Sequence, residues 1–528
     1  MTRRNGPVIA IGLEATDPGL IERWCREGRL PTFASLMRQG VWRRLRSNTE
    51  LSSGSTWASL NTGTSPGKHG MGFYHRQLKS GSYRLRKKYI EEMAREPFWA
   101  PLSRAGNRVA VLDVPVSRPL RGLNGVQLVG WGAEGLNAPQ SSWPAPLFKD
   151  ITRRYGCHPL DGWYQTRPAT LEGWRSFSQK LVAGAKTRTS IIKQLYQQER
   201  WDLFLATFAE PHWSGHYFWH VLDERHPNYD RDIAAVCGDT IRETYQIVDR
   251  ALADLMTDAP DATLLVFSNT GMGPNYSGQH LLPEVLTRLG YSGSRESTLA
   301  LSGLSKFLPG RHTGSYAIRQ ISEFVSPQNI ERVKRLMPER LWDDWTRWVL
   351  SIGSAWKHSK AFVVPSDFNG AIRINVQGRE PEGRVEPGAE YDAVCEELTA
   401  AMTELINPAT GKPAVSEVVT VAERYPGEHL DELPDLIVQW AADAPIDALT
   451  SPRIGTVSGR LPDVRSGAHT TYGFLLGAGR DIAGHGTLPD ANIMDVAPTV
   501  LRLLGEPVSQ DLDGRILPEM VGEAGTAG

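Results

Sequence analysis

The 528-residue chain is poor in cysteine, with four, Cys25, Cys157, Cys237 and Cys395, far apart and without a CxxC spacing. That excludes a disulfide-stapled secreted scaffold and reads as reduced structural thiols in a reducing compartment. Net charge of either sign is also lacking: the formal value is -1. Such a balance excludes a nucleic-acid backbone or an anionic membrane surface as the main partner. Long apolar runs are missing too. No stretch approaches the roughly 18 apolar residues needed to span a bilayer. The run from Val8 to Gly12, behind two arginines, is too short for the apolar region of a secretory signal. A cytoplasmic protein with no nucleic-acid polymer and no membrane as partner is expected, and oligomeric state is left open. There is no fixed-period repeat.

What is present is a globular composition, 40% hydrophobic, in which short apolar runs alternate with capped helical patterns. "PVIAIGL", "NRVAVLDVPV", "WDLFLATFAEP", "ATLLVFSNTGMGP", "LPDLIVQW" and "YGFLLGAG" read as buried strands. Asp17 and Pro18 open a helix that Gly28 ends, and Pro31 and Gly40 bound a second. "DTIRETYQIVDRALADLM" is helical, and "IMDVAPTVLRLLG" is a helix capped by Asp495. The pattern predicts an α/β fold: a mostly parallel central sheet with helices on both faces. We expect one domain over residues 1–520, an aromatic-rich insertion over 136–200, a basic helical insertion over 291–358 and a frayed tail over 521–528. The second insertion suits either a cap over a site or a plain helical layer.

In parallel sheets chemistry gathers in the loops after the carboxyl ends of strands. That rule selects Glu14, the loop at Ser53, the segment 210–216, Asn269 to Met272, and the segment before Gly473. In "EPHWSGHYFWHVLD", His212 and His216 are four apart and share one helix face. Two imidazoles at i and i+4 suit a tetrahedral zinc. They equally suit polar stacking on a half-buried helix. His220 lies too far along for the same ion and reads as packing or support. His469, in a loop before a strand, is the candidate third ligand. In "ELSSGSTWASLNTG" a serine before a helix is either a cap or a nucleophile.

Together "VIAIGLEATDP", "GRLPTFASLMRQG", "SSGSTWASLNTGTSPGKHG", "EPHWSGHYFWHVLD", "FSNTGMGP", "NVQGREPEGRVEPGAEYD", "ELPDLIV" and "MDVAPTVLRLLGEPV" resemble the alkaline phosphatase superfamily, in its type I phosphodiesterase and nucleotide pyrophosphatase branch. The resemblance runs from about residue 7 to 516, with the motifs in family order. It implies a two-zinc site at the carboxyl end of a parallel sheet. It also places the hydroxyl nucleophile on Ser53, nine residues before Thr62-Gly63 and four before Trp57.

The departures from that pattern carry the functional reading. One implied metal site is an Asp-x-x-x-His pair with a distant His; here those positions are His212, His216 and His469, three neutral imidazoles that still suit zinc. The other implied site falls on Glu14, Ser53, Asn269 and Thr270, and an amide and a hydroxyl are poor zinc ligands. One zinc is expected, the second being absent or weak. By formal charge the family site holds about +4 from metals and about -3 from carboxylates, this one about +2 and about -1, so both stay near +1. Ser53 and Glu14 are the expected catalytic groups, Glu14 as a base, with the helix N-terminus after Ser53 offering N–H groups to an anion. Asn269 and Thr270 are expected to bind substrate. The expected substrate is a small anionic phosphodiester or sulfate ester. Alternatives are transfer of a sulfuryl or phosphoryl group from a nucleotide-like donor to a small acceptor, and a silent binding protein that kept the fold.

Overall fold

Val8–Leu13 (β1) is buried at every position, as an unbroken apolar run must be when both faces of its sheet are covered. The structure, a computed structural model, describes residues 6–73, 76–132, 140–161, 167–292, 356–461 and 465–521. Residues 293–355, most of the expected basic insertion, and the tail from 522 lie outside the described residues. The further strands that frame the site are, in chain order, β2 (Val41–Arg46), β3 (Val109–Leu112), β4 (Gly125–Val129), β5 (Leu203–Phe208), β6 (Thr263–Ser268), β7 (Gly271–Pro274), β8 (Ala361–Val364), β9 (Gly370–Ile374), β10 (Val415–Thr420), β11 (Leu436–Trp440), β12 (Gly467–Thr470) and β13 (Tyr472–Ala478).

The main sheet runs β2-β13-β6-β1-β5-β3-β4, with short strands at its edges. β1 pairs in parallel with β5 and β6, and β3 in parallel with β5 and β4. β13 is antiparallel to both β6 and β2. The expected mostly parallel central sheet is therefore present, with β13 as an antiparallel member.

Alternate residues of β1 feed two cores, as a period of two requires. Ile9, Ile11 and Leu13 join one core with α1 (Pro18–Arg26), α2 (Pro31–Gln39), α4 (Leu171–Gln198), α5 (Glu210–Phe218) and α6 (Thr240–Asp258). Val8 and Ala10 join the opposite core with α3 (Ser53–Thr62) and α7 (Val496–Leu503). Asp17 caps α1 as expected, its Oδ1 accepting from Leu20 N–H at 2.7 Å. Asp495 does not cap α7 with its side chain; it accepts instead from the N–H groups of Asn492 at 2.9 Å and Arg515 at 2.8 Å. A preceding 3-10 turn over Ile493–Asp495 recruits that carboxylate first.

A second, antiparallel sheet has the order β8-β9-β11-β10. Two of the quoted motifs meet here. Arg379 of "NVQGREPEG" pairs with Asp435 of "ELPDLIV" at 2.7 Å, and Arg373 pairs with Glu380 at 2.7 Å. These motif residues hold the fold.

A buried ionic knot fastens α5 to the main sheet. Arg188 of α4 donates from Nη1 to Asp113 at 2.6 Å and from Nε to Glu210 at 2.9 Å, and His158 Nε2 lies 3.1 Å from Glu210. Burial pushes the Glu210 carboxyl up, but the Arg188 charge and the His158 hydrogen bond outweigh it and hold it down to about 2. Removing one partner of such a buried set strands the others without compensation. We expect Arg188→Met to lose about 3–5 kcal/mol in urea denaturation. A loss below about 1 kcal/mol would contradict this account of the knot.

Candidate functional site

The parallel register sets Leu13 beside Phe208 and Ser268. The chain therefore leaves three adjacent strands at one edge, through Glu14, Ala209-Glu210 and Asn269. α5 begins at once after β5, which places His212 and His216 on its buried side, 2% and 3% exposed. His469 reaches the same place from β12, which pairs with β7 at Met272. It thus sits in a short strand where a loop was expected; the partner is the glycine-bearing "GMGP" segment, whose pairing no local pattern announces.

Nitrogen atoms of His212, His216 and His469 lie within 4.8 Å of one another. Each ring also has an oxygen near its Nδ1. His216 Nδ1 is 2.8 Å from the Gly467 carbonyl, His469 Nδ1 is 3.1 Å from Asp367 Oδ2, and His212 Nδ1 is 3.5 Å from Glu14 Oε2. The Gly467 carbonyl can only accept, so the His216 proton sits on Nδ1 and its lone pair on Nε2, and the carboxylates near the other two rings favour the same tautomer. The Nε2 atoms of His212 and His469 are 3.1 Å apart. Two lone pairs facing each other at that distance repel, and a cation between them removes the conflict. Burial, followed by the neighbouring imidazoles, pushes His216 well below its ordinary range, and burial pushes His469 down against the pull of Asp367. Neutral imidazoles are the ligand form. The donor set therefore fits a metal that takes nitrogen ligands, such as zinc.

His220 lies beyond α5 in a 3-10 turn and points elsewhere, its Nδ1 3.1 Å from Ser466 Oγ. Ser466 in turn donates from N–H, at 2.7 Å, and from Oγ, at 3.1 Å, to the His216 carbonyl. His220 is thus support for the strand that carries His469.

The serines of the Glu50–Gly63 stretch divide by role. Ser52 is the N-cap of α3, accepting from Ser55 N–H at 3.0 Å and donating to the Gly72 carbonyl at 2.8 Å. Ser55 Oγ accepts from Asn48 at 2.9 Å. Ser53, the first residue of α3, is partly exposed, and its hydroxyl has no hydrogen-bond partner among the described residues. Ser52 and Ser55 are thus committed to the fold.

Glu14 is 3% exposed; its Oε1 accepts from Trp57 Nε1 of α3 at 3.3 Å. Asn269 is fully buried, with Oδ1 accepting from Ala15 N–H at 3.0 Å and Nδ2 without a hydrogen-bond partner among the described residues. Thr270 donates its hydroxyl to the Thr470 carbonyl, beside His469, and lies 3.5 Å from Ser47 Oγ. Asp367 is a residue that motif reading did not find. It lies in the β8–β9 turn, and Arg465 Nη1 is 3.1 Å from its other oxygen. Burial pushes the Asp367 carboxyl up, but His469 and Arg465 outweigh it and hold it far below its ordinary range.

A family model described as type I phosphodiesterase / nucleotide pyrophosphatase matches residues 8–448. Among solved structures, the murine ectonucleotide pyrophosphatase / phosphodiesterase 5, inactive and in complex with AMP, is similar at 13% identity and a TM-score of 0.48. The match covers 95% of this chain and 96% of that one. Phosphonoacetate hydrolase from Sinorhizobium meliloti 1021, in complex with phosphonoformate, is similar at 13% identity and a TM-score of 0.49, again over 95% and 96%. No curated protein matches. Among the described residues no helix is long and apolar enough to cross a membrane.

One serine–histidine pair imitates a catalytic dyad. His69 Nε2 is 2.9 Å from Ser59 Oγ, but His69 Nδ1 accepts from Met71 N–H at 3.1 Å, so its single proton is on Nε2 and points at the serine. A ring in that state cannot take the serine proton. Burial, with Lys88 nearby, pushes His69 down to about 3 from 6.5. The unfolded chain therefore binds the extra proton first, and this residue's contribution to stability falls as pH drops from about 6.5 towards about 3. In His69→Gln, the slope of stability against pH over that window should be shallower than in the wild type by denaturant titration; an unchanged slope would contradict a buried neutral imidazole.

Proposed function

The chain belongs to the type I phosphodiesterase / nucleotide pyrophosphatase family, within the alkaline phosphatase superfamily, and on that premise we propose that it cleaves or transfers a singly charged phosphodiester or sulfate-ester group at a site built on one zinc ion. His212, His216 and His469 would hold the ion. The observation that carries this reading is the set of three rings, each with an oxygen near Nδ1 and with nitrogen atoms that converge within 4.8 Å of one another. When bound, such an ion supplies Lewis-acid polarisation of an ester oxygen.

The chain's own groups do the rest. Ser53 presents its hydroxyl at the first turn of α3, where a helix leaves N–H groups without acceptors and favours an anion. Its Oγ attacks the phosphorus or sulfur and gives its proton to Glu14, and the bond to the leaving oxygen breaks as that oxygen takes a proton from Glu14; water or an acceptor hydroxyl then gives its proton to Glu14 and displaces Ser53 Oγ, which takes the proton back. Asn269 donates from Nδ2 to a substrate oxygen. Thr270 is assigned to holding β12, because its hydroxyl is already given to Thr470. The charges of Asp367 and Arg465 cancel, so with one bound ion and an ionised Glu14 the pocket would keep a formal charge of about +1, which one monoanion neutralises.

A second reading has its own support. Asn269 Nδ2 is buried without a hydrogen-bond partner among the described residues, and Glu14 Oε2, 3.5 Å from His212 Nδ1, leaves from the end of the neighbouring strand, so a donor and an acceptor share one sheet edge. Such a pair suits the hydroxyl of an acceptor molecule, with Glu14 taking its proton, and that favours group transfer over hydrolysis.

Elemental analysis should find about one zinc per chain, lost in His212→Ala and His469→Ala. With the chromogenic diester bis(4-nitrophenyl) phosphate, Ser53→Ala should lower turnover at least about 100-fold. Ser55→Ala should leave turnover within a few fold. Near-zero zinc in the wild type would instead favour a silent binding protein.

A further inference from the structure

We propose that the Ser366–Asn369 turn of the second sheet is a positioning element of the site, with Asp367 fixing the metal-binding tautomer of His469. This rests on the metal reading above. Asp367 Oδ2 is 3.1 Å from His469 Nδ1, and the Asp367 side chain is 12% exposed. A carboxylate there holds the proton on Nδ1 and directs the Nε2 lone pair at the other two rings.

The turn is itself held on every side. Arg465 Nη1 is 3.1 Å from Asp367 Oδ1, and the same guanidinium lies 4.2 Å from the centre of the Phe368 ring. Gln279 Nε2 donates to the Asp367 carbonyl at 3.1 Å, and Ser366 donates its hydroxyl to the Asn369 carbonyl. Phe368 packs against two of the imidazoles, 5.2 Å from His469 and 5.5 Å from His216, ring centre to ring centre. Asn369 Nδ2 donates to the Glu50 carbonyl at 3.4 Å, three residues before Ser53. One four-residue turn therefore touches two metal-site rings and the approach to the hydroxyl.

Residue type matters at position 367. An apolar side chain would leave His469 Nδ1 without an acceptor, and imidazole then reverts to carrying its proton on Nε2, the wrong atom for a ligand. Asparagine could still accept from Nδ1–H but would bring no charge to raise the basicity of Nε2.

The test uses the full chain labelled with 15N-histidine, first metal-free and then titrated with zinc against a chromogenic chelator. Wild-type His469 should show protonated Nδ1 and bare Nε2. In Asp367→Leu the ring nitrogens should shift towards protonated Nε2 and zinc affinity should fall about 10–100-fold. Asp367→Asn should keep the tautomer, keep the wild-type melting temperature within a few degrees, and bind zinc several-fold more weakly. A merely structural role would lower melting temperature without moving the His469 nitrogen shifts. An unchanged tautomer in Asp367→Leu would overturn the proposal. Should that variant fail to fold, unchanged zinc affinity in Asp367→Asn would overturn it. Absence of zinc binding in the wild type would defeat the metal reading instead, and the metal-free tautomer comparison would still decide the role of Asp367.

Discussion

The parallel pairing of β1 with β5 and β6 is the constraint on which the rest depends. It aligns Leu13 with Phe208 and Ser268, so three strands end in step. Glu14, the start of α5 and Asn269 then emerge side by side. The two cores on opposite faces of the sheet each send one helix to that edge, α3 from one and α5 from the other. Glu14 stands between them, hydrogen-bonded to Trp57 of α3 on one oxygen and 3.5 Å from His212 of α5 on the other. A serine-bearing helix and a histidine-bearing helix are thus referred to a single strand end. Charges at such an edge are buried, and buried polar groups need partners. The Arg188 knot and the Gly467 carbonyl at His216 Nδ1 supply some of them, and the carboxylates of Asp367 and Glu14 stand near the other two rings.

The chemistry follows from which atoms are already committed. Ser52 and Ser55 serve the fold, and the Ser53 hydroxyl has no hydrogen-bond partner among the described residues. Thr270 serves β12, and Asn269 keeps a donor in reserve. His69 faces Ser59 with its proton, so the pair is inert. In each case a hydrogen bond made elsewhere decides whether a reactive residue type is reactive.

Much of this was legible in the sequence, for identifiable reasons. β1, β5 and β6 announce themselves as short apolar runs because both faces are covered. His212 and His216 declare a shared face by their i, i+4 spacing. Ser53 could be told from its neighbours only through its register against Trp57 and Thr62-Gly63, since capping chemistry alone favours any of the three serines. His469 was legible as a candidate but not as a strand residue, because the β7–β12 ribbon is made of glycines, Pro274 and threonine with no alternating pattern. Asp367 carried no signal at all. It comes from a turn of the second sheet, far in sequence from His469, and only tertiary packing brings the two together. The charged motif residues Arg379 and Asp435 pair with each other between the loop after β9 and the start of β11, which tertiary packing alone reveals.

The central claim is that the three imidazoles are a ligand set for a single ion. Anomalous diffraction from zinc-soaked crystals, recorded on both sides of the zinc absorption edge, tests it directly. The account predicts one strong peak bonded to His212, His216 and His469, and none between Glu14 and Asn269. An absent peak at the three histidines, or a second peak of equal height between Glu14 and Asn269, would contradict it.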